Sequence, residues 1–194
     1  MDWESRYQNQ DTPWDKGRSH PVTGELANQT LPEGAILAPG CGAGWDLAAL
    51  AETHSTRRII GLDIAPSAVE AARKNNLHFP RVEAHLGDFL SGGIDPTFGP
   101  IALIWEHTCF CAIHPTQREA YAAAAARALP SGGFLCGVFF IELDDGGSGP
   151  PWNCPQPEWR AIFAADFEVV RAGAVHTTFP GRDGEEWGAV LRRR

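Results

Sequence analysis

From residue 35 onward the chain alternates short apolar runs with stretches of helical composition. Ala35-Ile36-Leu37-Ala38 runs apolar to Pro39, Gly40-Cys41-Gly42-Ala43-Gly44 interrupts it, and residues 45–51 are helix-forming. That order predicts a strand, a glycine turn and a helix. A second apolar run, Ile59-Ile60-Gly61-Leu62, ends in Asp63, and after Pro66 a helix is predicted over 67–74, stopping at Asn75-Asn76. Residues 81–86 alternate as a strand does and stop at Gly87-Asp88. Residues 100–105 are almost continuously apolar, as in a strand buried on both faces, and give way to Glu106-His107-Thr108. The Ala-rich stretch 116–129 predicts a helix closed by Pro130 and Gly132-Gly133. Another buried strand is predicted over 134–141, with Glu142 at its tip, then a short helix over 157–165. Two final strands, 167–172 and 186–191, are predicted to run antiparallel to one another around a loop at Phe179-Pro180-Gly181.

Alternation of this kind predicts an α/β fold: a Rossmann-like, open, mostly parallel seven-stranded sheet with helices on both faces and an antiparallel C-terminal strand. Ligands of such sheets bind at the carboxyl ends of the strands. The unusual residues gather there: the glycine turn, Asp63, Asp88-Phe89, the block 106–111 and Glu142 onward. The first 31 residues show no sustained period and hold Trp3, Tyr7 and Trp14 in a polar background. They read as a short helix at 3–8 and a loop through 12–17. The chain thus divides into an arm, 1–34, and a ligand-binding domain, 35–194. The arm's aromatics either pin it to the body or close over a ligand and exclude water. Residues 143–157 are rich in Gly, Pro and Asp, and a loop of that length inside a compact domain points to function.

The 194 residues suit one domain. With 43% hydrophobic and 21% charged residues the composition is that of a soluble globular protein. A net charge of −8 argues against a nucleic-acid surface, and the one basic run, Arg192-Arg193-Arg194, reads as a solvated tail. No stretch approaches the roughly 18 apolar residues of a membrane span, and the polar N-terminus lacks a signal-peptide pattern. A cytoplasmic monomer is expected, with its five cysteines reduced. No metal is expected, because Cys109-Phe110-Cys111 lacks the paired spacing of zinc sites.

Glycine turn and acidic strand tip, roughly 20 residues apart, suggest a bound nucleoside whose ribose hydroxyls meet Asp63. The glycines follow G-x-G-x-G rather than G-x-G-x-x-G, and Asp46 at the helix start repels a pyrophosphate. A nicotinamide dinucleotide is therefore disfavoured. A ligand carrying an ammonium group suits that carboxylate, and S-adenosylmethionine (SAM) is one. Asp63 suits its ribose, Asp88 its exocyclic amine with Phe89 alongside, and the glycine loop its amino acid end.

The motifs are also specific to a family. Pro13-Trp14-Asp15, the run from Pro39 to Asp46, Gly61-Leu62-Asp63-Ile64, Gly87-Asp88-Phe89, and the block from Ile104 to Ile113 followed by Pro115 span nearly the whole chain. With these it resembles the class I SAM-dependent methyltransferases, and among them the thiopurine S-methyltransferase-like family that includes the plant thiol and halide methyltransferases. The resemblance implies that Trp14 covers the cofactor and that Gly40, Gly42 and Asp46 surround its methionine part, with Pro39, Gly44 and Glu106 beside them. It implies Asp63 and Ile64 at the ribose and Asp88 with Phe89 at the adenine. It places His107, Phe110 and Trp152 on the acceptor side. His107 stands where the thiopurine enzymes have Arg and the halide and thiol enzymes have Tyr.

Transfer of a methyl group from a sulfonium is an in-line displacement, and a thiol acceptor must first lose its proton. His107 is the candidate base, the alternative being that it only bonds neighbouring backbone. Glu106 either orients His107 or is a simple strand-end carboxylate. Cys41, Cys109 and Cys111 read as small packing residues. The expectation is a SAM-dependent thiol S-methyltransferase releasing S-adenosylhomocysteine (SAH). Halide or selenium and tellurium oxyanion methylation, and a non-catalytic SAM-binding regulatory protein, are the alternatives.

Overall fold

The structure, a computed structural model, describes residues 1–91, 94–143 and 148–194. Part of the loop anticipated over 143–157 thus lies outside the described residues. The elements in order are α1 Trp3–Gln8, α2 Thr23–Ala27, β1 Ala35–Pro39, α3 Trp45–Thr53, β2 Ile59–Asp63, α4 Pro66–Asn75 and β3 Val82–Leu86. There follow β4 Ile101–His107, α5 Arg118–Ala128, β5 Phe134–Phe140, α6 Gln156–Phe163, β6 Phe167–Ala174 and β7 Glu186–Arg193.

The strands form one sheet in the order β3-β2-β1-β4-β5-β7-β6. Pairings are parallel from β3 through β5, and β7 runs antiparallel to both neighbours, β5 and β6. The expected architecture is the one observed. Continuous apolar runs became central strands because helices cover both faces. Along β1, Ala35 and Leu37 enter one core with Tyr121 of α5 and Trp159 and Phe163 of α6. Ile36 and Ala38 enter the other, with Leu26 of α2, Leu47 and Leu50 of α3, and Val69 of α4. A period of two along the strand thus feeds two helical layers.

Strand order reverses between β1 and β4, and in sheets of this kind a crevice opens at that point beyond the carboxyl ends. The antiparallel β7 contributes from the other direction: Glu186, its first residue, pairs in register with Phe140, the last of β5. The start of β7 therefore reaches the same edge of the sheet as the ends of its parallel neighbours.

The leading segment is more integrated than its composition suggests. α2, which carries no readable period, buries Thr23, Leu26 and Ala27. Five residues are too few to display a helical repeat. Hydrogen bonds fasten the N-terminal part to the helices behind it. Glu4 accepts hydrogen bonds from the amide and hydroxyl of Ser67 in the first turn of α4, at 2.9 and 2.6 Å. Asp15 accepts one from the indole of Trp45, at 2.8 Å.

Candidate active site

At the end of β1 the chain turns on Gly40, Gly42 and Gly44, all with left-handed backbone (φ 59°, 54° and 77°) that ordinary side chains resist. Space forbids a side chain as well: a Cβ on Gly40 would stand 2.8 Å from Cβ of Cys109. The missing side chain lets the β1 turn and the turn after β4 touch. The amide of Gly42 donates to Asp63 Oδ2 and that of Ala65 to Oδ1, both at 2.9 Å. Burial raises the Asp63 pKa, only partly opposed by these amides. The Ile64 amide is a third backbone donor to the group, and the carboxylate keeps an acceptor position for one more. Tyr7 stands over the turn, its hydroxyl 3.0 Å from where a Gly42 Cβ would lie, and it accepts a hydrogen bond from the Trp14 indole at 3.2 Å. Burial, with the charge of Asp63, pushes the Tyr7 phenol well up.

On the β3 side, Ile64 is half exposed and Asp88 is exposed. One Asp88 oxygen accepts from the amide of Leu90 at 2.8 Å. With Leu62, Leu86 and Gly87, Asp88 borders a cleft of about 430 Å³. The ring of Phe89, expected alongside the ligand, turns instead into the core against Tyr121, centroids 5.2 Å apart.

Asp46 requires a larger correction. Its carboxylate does not stand open to a ligand's ammonium. Oδ1 accepts from the His20 amide at 2.8 Å and the Thr23 hydroxyl at 3.1 Å; Oδ2 contacts the Trp105 indole at 3.0 Å and His107 Nδ1 at 2.7 Å. Four partners fill a carboxylate's acceptor positions. Burial opposes its ionisation, but His107 and the other donors outweigh that and hold Asp46 well below the usual carboxylate range. An ionised Asp46 fixes the proton of His107 on Nδ1 and leaves Nε2 free to accept.

Glu106 does not orient His107. Both lie on β4, where consecutive side chains point to opposite faces. Glu106 is fully buried, and its Oε1 accepts from the amides of Cys109 and Phe110 at 2.9 and 2.7 Å while Oε2 accepts from the Tyr121 hydroxyl. Burial outweighs these donors and raises its pKa to about 7. Phe110 is likewise not an acceptor wall, because its ring packs in the core on Tyr121, Phe139 and Phe163. Trp152 donates its amide to the Cys111 carbonyl at 2.8 Å and sets its ring against His114, 5.3 Å away.

What does meet His107 comes from parts of the sequence with no motif. Arg182 Nη1 lies 3.4 Å from His107 Nε2 and 3.0 Å from Glu186 Oε1, and Nη2 lies 3.5 Å from the Trp14 carbonyl. His20 Nε2 is 2.8 Å from Glu186 Oε2, which also accepts from the Thr178 hydroxyl. Phe179 stacks on His107 at 6.2 Å. His20, His107 and Glu186 bring their ligand atoms within 4.8 Å of one another. The Arg182 guanidinium already supplies a positive charge to that group. Despite burial, these donors bring the Glu186 carboxyl down to about 2.

Known proteins resemble the chain in both fold and sequence. Among solved structures, a TehB-like SAM-dependent methyltransferase from Corynebacterium glutamicum superposes with a TM-score of 0.71 at 18% identity, covering 98% of this chain and 99% of that one. That likeness establishes the fold. A probable thiol methyltransferase 2 of Arabidopsis thaliana is 34% identical over 173 residues, 87% of this chain and 74% of the relative. A thiocyanate methyltransferase 1 of Brassica oleracea is 34% identical over 189 residues, 95% of this chain and 81% of the relative. The pattern of the family described as thiopurine S-methyltransferase (TPMT) matches residues 1–191. A match of that extent takes in the arm, the glycine turn, the Asp46–His107 pair and the Arg182–Glu186 corner together, and the chain belongs to the thiopurine S-methyltransferase family.

Proposed function

We propose that the chain methylates the sulfur of a small thiol with SAM as donor and SAH as by-product. The Asp46–His107 contact at 2.7 Å carries this reading, because it holds an imidazole in a defined tautomer at the end of β4. The residues at the turn suit the cofactor: left-handed glycines where a side chain would fill the space, and an Asp63 carboxylate with an acceptor position to spare. In this reading Pro39, Gly40, Gly42 and Gly44 border the amino acid end, Asp63 and Ile64 the ribose, and Asp88 the adenine. Tyr7 and Trp14 keep water from the crevice. When bound, SAM supplies a methyl group on a positively charged sulfur.

The chain's own part is positioning and proton movement. Nε2 of His107 takes the thiol proton, giving the thiolate that acts as nucleophile, and Asp46 stabilises the imidazolium. Arg182 shares that nitrogen at 3.4 Å, so an arriving thiol displaces the guanidinium or lies against it. A cationic neighbour also favours the thiolate. We place the enzyme in the cytoplasm, a location that its five unpaired cysteines support, and take it to act as a monomer.

The test is SAH formation from SAM with a panel of thiols and, in parallel, thiocyanate, which has no proton to lose. Wild type should turn over thiols. His107→Gln should cut thiol turnover at neutral pH by about 100-fold while changing thiocyanate turnover little. Absence of product with every acceptor, or equal losses for both acceptor types, would sink the assignment.

A further inference from the structure

The methyl-transfer reading leaves the buried Glu106 without a task, yet few side chains in the molecule are more completely bonded. All three of its partners are groups of the chain, and the residue has no surface in the crevice. It therefore touches neither cofactor nor acceptor.

The turn it holds is strained. Thr108 sits at φ 66°, where a β-branched residue is costly, and such a conformation persists only where surrounding bonds enforce it. Oε1 of Glu106 collects the next two amides, Cys109 and Phe110, and so closes the turn. Closing it seats Cys109 on Gly40, at the distance where even one methyl group on the glycine would collide. The other oxygen reaches Tyr121 on α5, whose ring lies 5.2 Å from Phe89 and 5.3 Å from Phe110. Phe89 directly follows Asp88. One carboxyl group thus stands between the turn at the end of β1 and the loop at the end of β3.

We propose that Glu106 and Tyr121 are a positioning pair that sets the separation of the two cofactor-holding loops, one through Cys109 on Gly40 and the other through Phe89 behind Asp88. The assignment rests on the cofactor reading above, and the experiment separates the two. The pair acts on cofactor affinity rather than on proton transfer. Glutamine can replace the carboxyl: its oxygen accepts from both amides and its NH₂ group donates to the Tyr121 oxygen.

The measurements are SAH titration by calorimetry, and KM for SAM, KM for hydrosulfide and kcat, for wild type, Glu106→Gln, Glu106→Ala and Tyr121→Phe. Glu106→Ala should weaken SAH and raise KM for SAM by about tenfold or more, with KM for hydrosulfide within about twofold. Glu106→Gln should stay within about threefold of wild type in SAH affinity, because its bonds are re-formed. Tyr121→Phe keeps the ring stack and loses only the hydroxyl, so it carries the test where the alanine variant does not fold; about a threefold to tenfold loss of SAH affinity is expected. A Glu106→Gln variant that binds SAH normally but loses kcat by about 100-fold would make Glu106 a proton-transfer residue and overturn the proposal. SAH affinity unchanged in Glu106→Ala and Tyr121→Phe would also overturn it. Wild-type protein that fails to bind SAH overturns the cofactor reading and the pair with it.

Discussion

Asp46 and Glu106 are two buried carboxyls near one crevice, and their surroundings move their pKa values in opposite directions. Asp46 faces His107 and is held ionised well below the usual range, whereas Glu106 faces two amides and a phenol, none of which carries a positive charge. The consequence appears in stability against pH. The folded chain keeps the Glu106 proton up to about pH 7, while the unfolded chain releases it near 4.5. Between those values the folded state binds the extra proton, so this group's contribution falls as pH rises through the window and is flat above it. Urea unfolding from pH 4.5 to 7.5 should show wild type losing stability relative to Glu106→Gln over that range; parallel curves would show that Glu106 titrates normally. Neither environment was legible in the sequence. Asp46 stands at a helix start beside a glycine motif, where sequence alone suits it to a ligand's ammonium, but its partners His20, Trp105 and His107 lie 26, 59 and 61 residues away. Only folding puts them together. Glu106 was visible as a strand-end carboxylate, and what hid its role was the length of β4: two more residues in the strand put it on the face opposite His107.

Among elements, the glycine turn was the most legible, because its requirement is local. Three glycines after an apolar run can be recognised without knowing what they touch. Packing adds a constraint that the motif does not display. Gly44 begins α3 with φ 77°, and a Cβ there would stand 2.8 Å from Cβ of Ala72 and from the amide nitrogen of Asn76, both on the α4 side. Asn76 in turn donates to the carbonyls of Gly44 and Ala72 at 3.0 and 2.8 Å. Gly44→Ala should therefore cost about 1–3 kcal/mol from the backbone alone, with the clash adding to it. Chemical denaturation would read the loss, and a cost under about 0.5 kcal/mol would mean that α4 yields to accommodate the methyl. The strands were legible for a related reason. Parallel strands covered on both faces need continuous apolar runs, and β1, β2, β4 and β5 have them. α2 was not, since a helix of five residues is fixed by what it packs on rather than by a repeat.

Across the whole molecule, the two ends of the chain meet over the middle. His20 reaches Glu186 across 166 positions, and Arg182 joins Glu186 to His107 and to the Trp14 carbonyl. Removing one member of such a buried group strands the charge on the others. Glu186→Gln should lower Tm at neutral pH by roughly 6–12 °C, from a cost of about 3 kcal/mol at about 2–4 °C per kcal/mol in a chain of this size. The Glu186 pKa is depressed from 4.5 to about 2, so its contribution is complete above pH 4.5 and is lost as pH falls towards 2. The variant's acid limb should be correspondingly flatter, and a Tm within about 2 °C of wild type would mean that the group contributes little. β7 also lies between β5 and β6, both of which precede it in sequence. A chain cut before residue 182 would keep the glycine turn and Asp63, lose from the corner around His107 its arginine and its second carboxylate, and leave β6 with no strand to join it to β5.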